Sequence, residues 1–378
     1  MDFSFTEEQQ LLRDSLARYI EREYAFEKRR AIQRSAEGFS REVWSQLAEM
    51  GLLGLTQPEQ FGGYGGGAVD TFVVMQVLGN GLVIEPYLAS AVLGAGIVAR
   101  IGTSAQKARV LPAAARGELL LTLAHTEPES RYELAAVATA ARRQGDGFVL
   151  SGRKTVVPWG AQADKLIVSA RTAGGPRDAR GISLFLVDRA LKGVSARDYR
   201  TIDGHRAAEI RLDHVSIGAD AVLGAIDDAL PALETIADVG AAALCAEGVG
   251  VMETLNAQTL DYIKTRQQFG QPIGRFQVLQ HRAVDMFIHL EQSKSIALLA
   301  AVRADSADAA ERRRAVSAAK AHIGRSGRAV SQIAIQLHGG MGVTDELPAS
   351  HYAKRLTMID FHLGDADFHL ERVARTRD

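Results

Sequence analysis

Between Ala229 and Thr265 the chain carries no proline after Pro231, and Ile236, Val239, Ala243, Met252, Leu255 and Ile263 fall on one helical face. At about 1.5 Å per residue this spacing predicts a single helix about 50 Å long. Two further helical patterns follow, over residues 276–304 and 307–337, and the last third is expected to be a helical bundle. Pro272 disfavours the helical region for the residue before it, so Gln271-Pro272-Ile273-Gly274 forces the turn between the first pair. Because the long helices have a second apolar face to bury, a dimer or a dimer of dimers is expected.

The chain's 378 residues exceed the roughly 250–300 that one core usually supports, so two or three domains are expected. The first third reads as helical. Leu11, Leu12, Leu16, Tyr19 and Ile20 recur at helical spacing behind a capping Thr6, and residues 40–53, 69–80, 88–101 and 104–115 continue the pattern. The glycine-rich stretch from Pro58 to Gly67 lacks the preceding strand that a dinucleotide fingerprint needs and reads as a loop. The middle third changes period. Residues 148–150, 165–170, 181–187 and 208–212 are short β-rich runs parted by Gly, Asp and Pro, as expected for antiparallel strands. The expected domains are 1–118 (helical), 119–225 (β) and 226–378 (helical bundle).

Charge and cysteine content exclude several functions. With 44 Lys and Arg against 45 Asp and Glu, a broad polyanion-binding surface is disfavoured, and nucleic acid is not expected as a partner. The single cysteine, Cys245, can form neither an intrachain disulfide nor a thiolate cage. The acidic N-terminus does not read as a secretory signal, and Glu247 interrupts the most apolar run, 239–251; a cytosolic protein without a membrane span is expected.

Three segments carry chemistry: Thr126-Glu127-Pro128, Arg266 to Gln277 (RQQFGQPIGRFQ), and Gln336-Leu337-His338-Gly339-Gly340-Met341-Gly342. Arg266 ends the long helix, where its guanidinium can meet a pyrophosphate with two parallel hydrogen bonds or simply answer the helix dipole. Phe269 offers a flat apolar face to an adenine or ribose. Gly339, Gly340 and Gly342 either let backbone amides approach a ligand or form a plain helix C-cap.

In this order, within a helix–sheet–helix layout, the three segments resemble the acyl-CoA dehydrogenase family of flavoproteins over essentially the whole chain. The resemblance implies a mainly α fold with a β domain: an N-terminal α-helical domain, a middle β-barrel or sandwich domain and a C-terminal four-helix bundle. It implies FAD as cofactor, an acyl-CoA substrate and an electron-transfer flavoprotein as electron acceptor. It places Arg266, Gln268, Phe269, Gln336, Gly339 and Gly340 at the flavin diphosphate of a neighbouring protomer. His125, Thr126, Val156, Val157 and Pro158 it places beside the flavin ring. The C-terminal wording, residues 351–360 and 364–367, looks more narrowly like the small-subunit branch of pimeloyl-CoA dehydrogenase.

The chain also departs from the family pattern. The usual aromatic near Val156 and hydroxyl near Pro158 are missing, Trp159 being displaced by a few positions, and the acyl-CoA-holding serine is replaced around Tyr132. The slot of the usual catalytic glutamate holds Leu363, just before Gly364, and the alternative slot on the long helix falls near Gly240. Neither can accept a proton. Three carboxylates remain as candidate bases: Glu247, which an apolar run would desolvate, and Asp365 and Asp360, which flank the vacant slot. Each has a structural alternative: Glu247 as the partner of a buried arginine, the aspartates as acidic residues near a helix start. Loss of both base slots suits a second reading, a partner subunit that completes another chain's flavin site. A third, metal-dependent reading would put His362, Asp365 and His369 on one helical face.

Overall fold

The computed structural model describes residues 5–375, which divide into two compact units. One contains the described residues up to Ala31, Ala68–Val83 and those from Ala241 onward; the other contains Ile32–Gly67 and Ile84–Gly240.

The first unit is helical. Helix α1 (Glu7–Glu23) starts at Thr6, whose hydroxyl accepts the Gln9 amide at 3.2 Å while Gln9 Oε1 accepts the Thr6 amide at 3.1 Å. This is the cap expected from the sequence. The helix expected over residues 307–337 forms over Ala309–His338. The unit also holds α4 (Ala68–Asn80) and most of α7 (Leu230–Thr265), followed by α8 (Gln277–Ala304), α9 (Ala309–His338), α10 (Pro348–Phe361) and α11 (Ala366–Arg375). Helix α7 is long and apolar enough to cross a membrane, yet 89% of its most apolar window is buried inside the protein. Glycines let α4 and α7 touch: a Cβ on Gly79 would meet Glu247 O at 2.3 Å, and one on Gly250 would meet Gln76 O at 1.9 Å. Helices α10 and α11 carry no distinct expectation from the sequence.

The second unit holds the sheet, with α3 (Arg41–Glu49), α5 (Ala95–Ile101) and α6 (Ser104–Ala115). Helix α2 (Phe26–Arg34), unforeseen, crosses from one unit into the other in sequence. Helix α3 stops short of the expected residue 53, where Gly51 takes φ +77, and residues 88–94 form a π-helix ahead of α5.

The strands are β1 (Leu121–Ala124), β2 (Ala140–Gln144), β3 (Gly147–Pro158), β4 (Lys165–Arg171), β5 (Ile182–Asp188), β6 (Val194–Arg200), β7 (Arg206–Ile217) and β8 (Val222–Leu223). They run in the order β6-β7-β3-β2-β4-β5-β8, with β1 against β4. The four runs read from the sequence lie in β3, β4, β5 and β7 and pair antiparallel as expected, β3 with β7 and β4 with β5, whereas β1, not foreseen, pairs β4 in parallel and β2, also not foreseen, touches β4 in parallel at Ala140↔Arg171. Parallel pairing needs a long connection, which residues 125–164 supply. Leu150, Val157, Leu166, Val168, Phe185, Val187 and Ile210 form the core of the sheet. Edge strand β6 is half-exposed and carries Arg197, Asp198 and Arg200, which guard its open edge.

Candidate functional site

The two diphosphate motifs lie at one end of the helical unit. Where α7 ends, Arg266 N–H donates to Tyr262 O and Ile273 N–H donates to Arg266 O, both at 2.8 Å. Between them β9 (Gln267–Gln268) and β10 (Gln271–Pro272) form a two-residue hairpin, with Phe269 at φ +54 and Gly270 at φ +78. Both central residues at positive φ make a tight turn matched to strand twist, so the expected turn is a hairpin that presents its tip. Phe269 is 88% exposed and meets Phe276 edge-on, with centroids 6.0 Å apart. Gln268 is exposed on the same hairpin.

Tyr262 joins this hairpin to the glycine turn after α9. Its ring stacks on His338 at 4.4 Å, and its hydroxyl donates to His338 O at 3.3 Å. Gln336 lies exposed on the last turn of α9, and its carbonyl accepts the Gly339 amide. Gly339 adopts φ 60 and ψ −142, and a Cβ on Gly339 or Gly340 would find no atom within 4 Å. Gly342 differs, since a Cβ there would strike Ile335 O at 2.7 Å. The backbone at Gly339 and Gly340 is therefore open to a ligand. Arg266 is exposed, and among the described residues its guanidinium pairs with no carboxylate. An unpaired guanidinium at the same end of the bundle as an open glycine turn, linked to it through Tyr262, is a donor set that suits a diphosphate.

The residues expected beside a flavin ring come together in the β unit. Thr155 N–H donates to Thr126 O at 2.8 Å, and Thr122 Oγ1 donates to Pro158 O at 2.6 Å, so the loop after β1 lies against the end of β3. The β3–β7 register shifts between Lys154 and Val157, and this bulge turns Val156 outward at φ +49 and 47% exposed. Val157 points into the sheet core, and Pro158 is half-buried. Trp159 is buried edge-on against Phe39, with centroids 5.7 Å apart and an angle of 80°. That packing commits Trp159 to the core of its unit, so it does not supply the missing aromatic at Val156.

A buried polar network lies beneath this loop. Lys154 has no exposed side-chain surface, and its ammonium donates to Glu127 Oε1 at 2.6 Å, Ser169 Oγ at 3.0 Å and His125 O at 3.1 Å. Glu127 also accepts the amides of Ala138 and Thr139 at 2.7 and 3.0 Å. Burial alone would raise the Glu127 carboxyl, but the charge and hydrogen bonds of Lys154 hold it below the usual carboxylate range. Burial pulls the Lys154 ammonium down to about 8. Sequence reasoning missed this role for Lys154, although a signal was present: Phe148, Leu150 and Lys154 share the inward period-two face of β3, and a lysine there needs a buried acceptor.

The three candidate bases all have structural partners. Arg355 grips Glu247 with both ends of its fork, Nε to Oε1 at 2.5 Å and Nη2 to Oε2 at 2.6 Å, in a buried pair. Asp365 Oδ1 accepts the Phe368 amide at 2.9 Å, and Asp360 Oδ1 accepts the Ala366 amide at 3.1 Å, so both tie down the start of α11. Burial raises the Asp360 carboxyl above its ordinary value. Between the aspartates Leu363 adopts φ +59, a conformation rare for a leucine. Two buried basic residues hold that turn: His369 Nε2–H donates to Leu363 O at 3.0 Å, and Lys320 donates to Asp360 O at 2.8 Å and Gly364 O at 2.6 Å. Burial lowers His369 to about 3 and Lys320 to about 8.

The metal reading is corrected by the same turn. Helix α10 ends at Phe361 and α11 begins at Ala366, so His362, Asp365 and His369 share no helical face. Among the described residues no group of three or more His, Cys, Asp or Glu side chains is placed to hold a metal ion.

Comparison with known proteins matches residues 6–118, 122–215 and 230–377 to the N-terminal, middle and C-terminal domains of acyl-CoA dehydrogenase. The chain belongs to the acyl-CoA dehydrogenase family. It is 31% identical to the acyl-CoA dehydrogenase FadE12 of Mycobacterium tuberculosis, over 91% of this chain and 90% of that one. Among solved structures, the ChsE4–ChsE5 complex of Mycobacterium tuberculosis superposes with a TM-score of 0.89 at 29% identity, covering 99% and 98% of the two chains. The FAD complex of PigA superposes at 0.91 with 25% identity, covering 100% and 99%. The family has the three-domain fold of oxidoreductases that act on acyl-CoA. The narrower likeness to the pimeloyl-CoA dehydrogenase small subunit has no counterpart in these matches.

Proposed function

We propose that this chain takes part in FAD-dependent α,β-dehydrogenation of an acyl-CoA thioester, passing electrons to an electron-transfer flavoprotein. The observation that carries the reading is the unpaired Arg266 guanidinium on the same bundle end as the open Gly339–Gly340 backbone, joined through Tyr262. Arg266, Gln268, Phe269, Gln336, Gly339 and Gly340 would hold the diphosphate side of FAD for a neighbouring chain. His125, Thr126 and the outward Val156 would flank the ring, with Val157 and Pro158 as the strand behind. Bound FAD would accept the hydride from the substrate's β-carbon. This chain's residues bind and orient, and the loop at Thr126 is held rigid from below by Lys154. The apolar residues exposed on α8, Val278, Val284, Phe287 and Ile288, and a groove of about 260 Å³ between α7 and α8, support a dimer or dimer of dimers.

A second reading, a partner subunit with little activity of its own, is favoured by one observation: Glu247, Asp360 and Asp365 are all engaged and Leu363 fills the remaining slot. The solved ChsE4–ChsE5 complex is compatible with it. One experiment separates the two readings. Purified alone, a self-sufficient enzyme is yellow and bleaches anaerobically with a suitable acyl-CoA. A colourless chain that becomes yellow only on coexpression with a second family chain is the auxiliary subunit. The turn at 363 adds a second test. Because Lys320 and His369 already hold it in place, Leu363→Glu is expected to raise flavin bleaching by acyl-CoA about 100-fold, the lower end of what one positioned general base contributes; no change would mean the slot is not at the substrate. The subgroup likeness, with a medium-chain, dicarboxylyl or side-chain acyl group as substrate, remains part of this proposal.

A further inference from the structure

We propose that His125 is a hydrogen-bond donor locked in one tautomer, whose Nε2–H positions a carbonyl-bearing ring at the edge of the β unit. The assignment follows from counting protons. Lys154 can only donate, and its three protons go to Glu127 Oε1, His125 O and Ser169 Oγ. Ser169 Oγ therefore accepts from Lys154, and its own proton has one acceptor among the described residues, His125 Nδ1 at 2.9 Å. Nδ1 is thus bare. The ring proton of the neutral imidazole sits on Nε2, and burial, aided by the Lys154 charge, keeps the ring neutral by lowering it to about 3.

Nε2 has no hydrogen-bond partner among the described residues, although His125 is only 7% exposed. Nε2 is not one of the fully enclosed polar atoms that lack a partner, so its N–H is open at the edge of the β unit, where a ligand can accept from it. Next to it, the Thr126 carbonyl is bound to the Thr155 amide, one residue before the outward Val156. A fixed neutral N–H beside an exposed apolar bulge matches a planar heteroaromatic ligand with carbonyl oxygens on its rim, as in the pyrimidine-dione end of a flavin. This assignment rests on the flavin reading, and it adds Ser169 and Lys154 as positioning residues that act through His125.

Nitrogen NMR of the ligand-free chain labelled at histidine tests the lock without any turnover. The His125 ring, identified by its disappearance in His125→Phe, is expected to have Nδ1 bare and Nε2 protonated, unchanged between pH 5 and 7, below the range in which Lys154 loses its proton. Ser169→Ala should shift that ring toward the other tautomer, and adding FAD to the wild-type chain should move the Nε2 resonance. Equilibrium dialysis with FAD then compares wild type with His125→Phe, which keeps ring volume and removes the donor. About tenfold weaker binding is expected for His125→Phe, the loss of one hydrogen bond, and a smaller loss for Ser169→Ala. A protonated Nδ1 in the wild-type chain, or FAD binding unaffected in both variants, overturns the assignment while leaving the flavin reading intact. A wild-type chain that takes up no FAD, alone or with a second family chain, overturns both.

Discussion

Lys154→Met is expected to lower stability by about 3–5 kcal/mol, because it leaves the Glu127 carboxylate buried without its cation. For a chain of this length that corresponds to a drop in the unfolding midpoint of roughly 4–6 °C. The loss should depend on pH in a definite sense. Glu127 has a depressed carboxyl in the folded wild type, so its stabilisation is present above the ordinary carboxylate value and fades as the pH falls through the folded one. Without Lys154 the same carboxyl protonates at higher pH, which relieves the buried charge. The gap between variant and wild type should therefore be widest near neutrality and close in acid. The double variant Lys154→Met/Glu127→Gln should recover much of the loss at pH 7. Thermal unfolding of the three proteins at pH 7 and pH 4 checks this; a Lys154→Met defect that is constant with pH would mean the pair is not what holds the loop.

The second large effect concerns Glu247. Glu247→Gln removes the carboxylate charge that holds both ends of the buried Arg355 fork, and is expected to cost about 3–5 kcal/mol. Arg355→Met should cost a similar amount through the opposite charge, and Glu247→Gln/Arg355→Met should be more stable than either single variant. The pair ties α7 to α10, so these losses should appear in thermal unfolding whether or not flavin is bound. A base at Glu247 gives the opposite pattern: Glu247→Gln as stable as wild type, yellow, and inert towards acyl-CoA. Stability and bleaching measured on the same preparations distinguish the two.

These two ion pairs also mark where the sequence stops being readable. The helix at Leu230–Thr265 follows from apolar spacing and the absence of proline, and the α1 cap from a threonine three residues before a glutamine. Strands β4 and β5 follow from continuous apolar runs. Strand β2, with the sequence AARRQ, and β1, only four residues long, carry no local β pattern, and their parallel pairing with β4 depends on residues far along the chain. Of the candidate site, the corner that holds Arg266 and the Gly339–Gly340 turn was legible because its glycines and Arg266 sit in contiguous motifs. Glu247 was legible as a buried carboxylate, but its partner lies 108 residues away and no local spacing reveals it. The hydroxyl that sets the His125 tautomer is 44 residues from the imidazole, beyond any motif.

The central claim is that Arg266 and the Gly339–Gly340 turn grip the phosphates of FAD across a seam between chains. Bound FAD per chain, measured by absorbance after gel filtration of wild type and Arg266→Ala, each purified alone and with a second family chain, tests it most directly. The Arg266 side chain makes no ion pair within the described chain, so the variant should unfold at the wild-type midpoint yet bind FAD roughly 10–100-fold more weakly, as expected for losing charge-assisted hydrogen bonds to phosphate. An Arg266→Ala protein that retains the full wild-type complement of FAD would contradict the account.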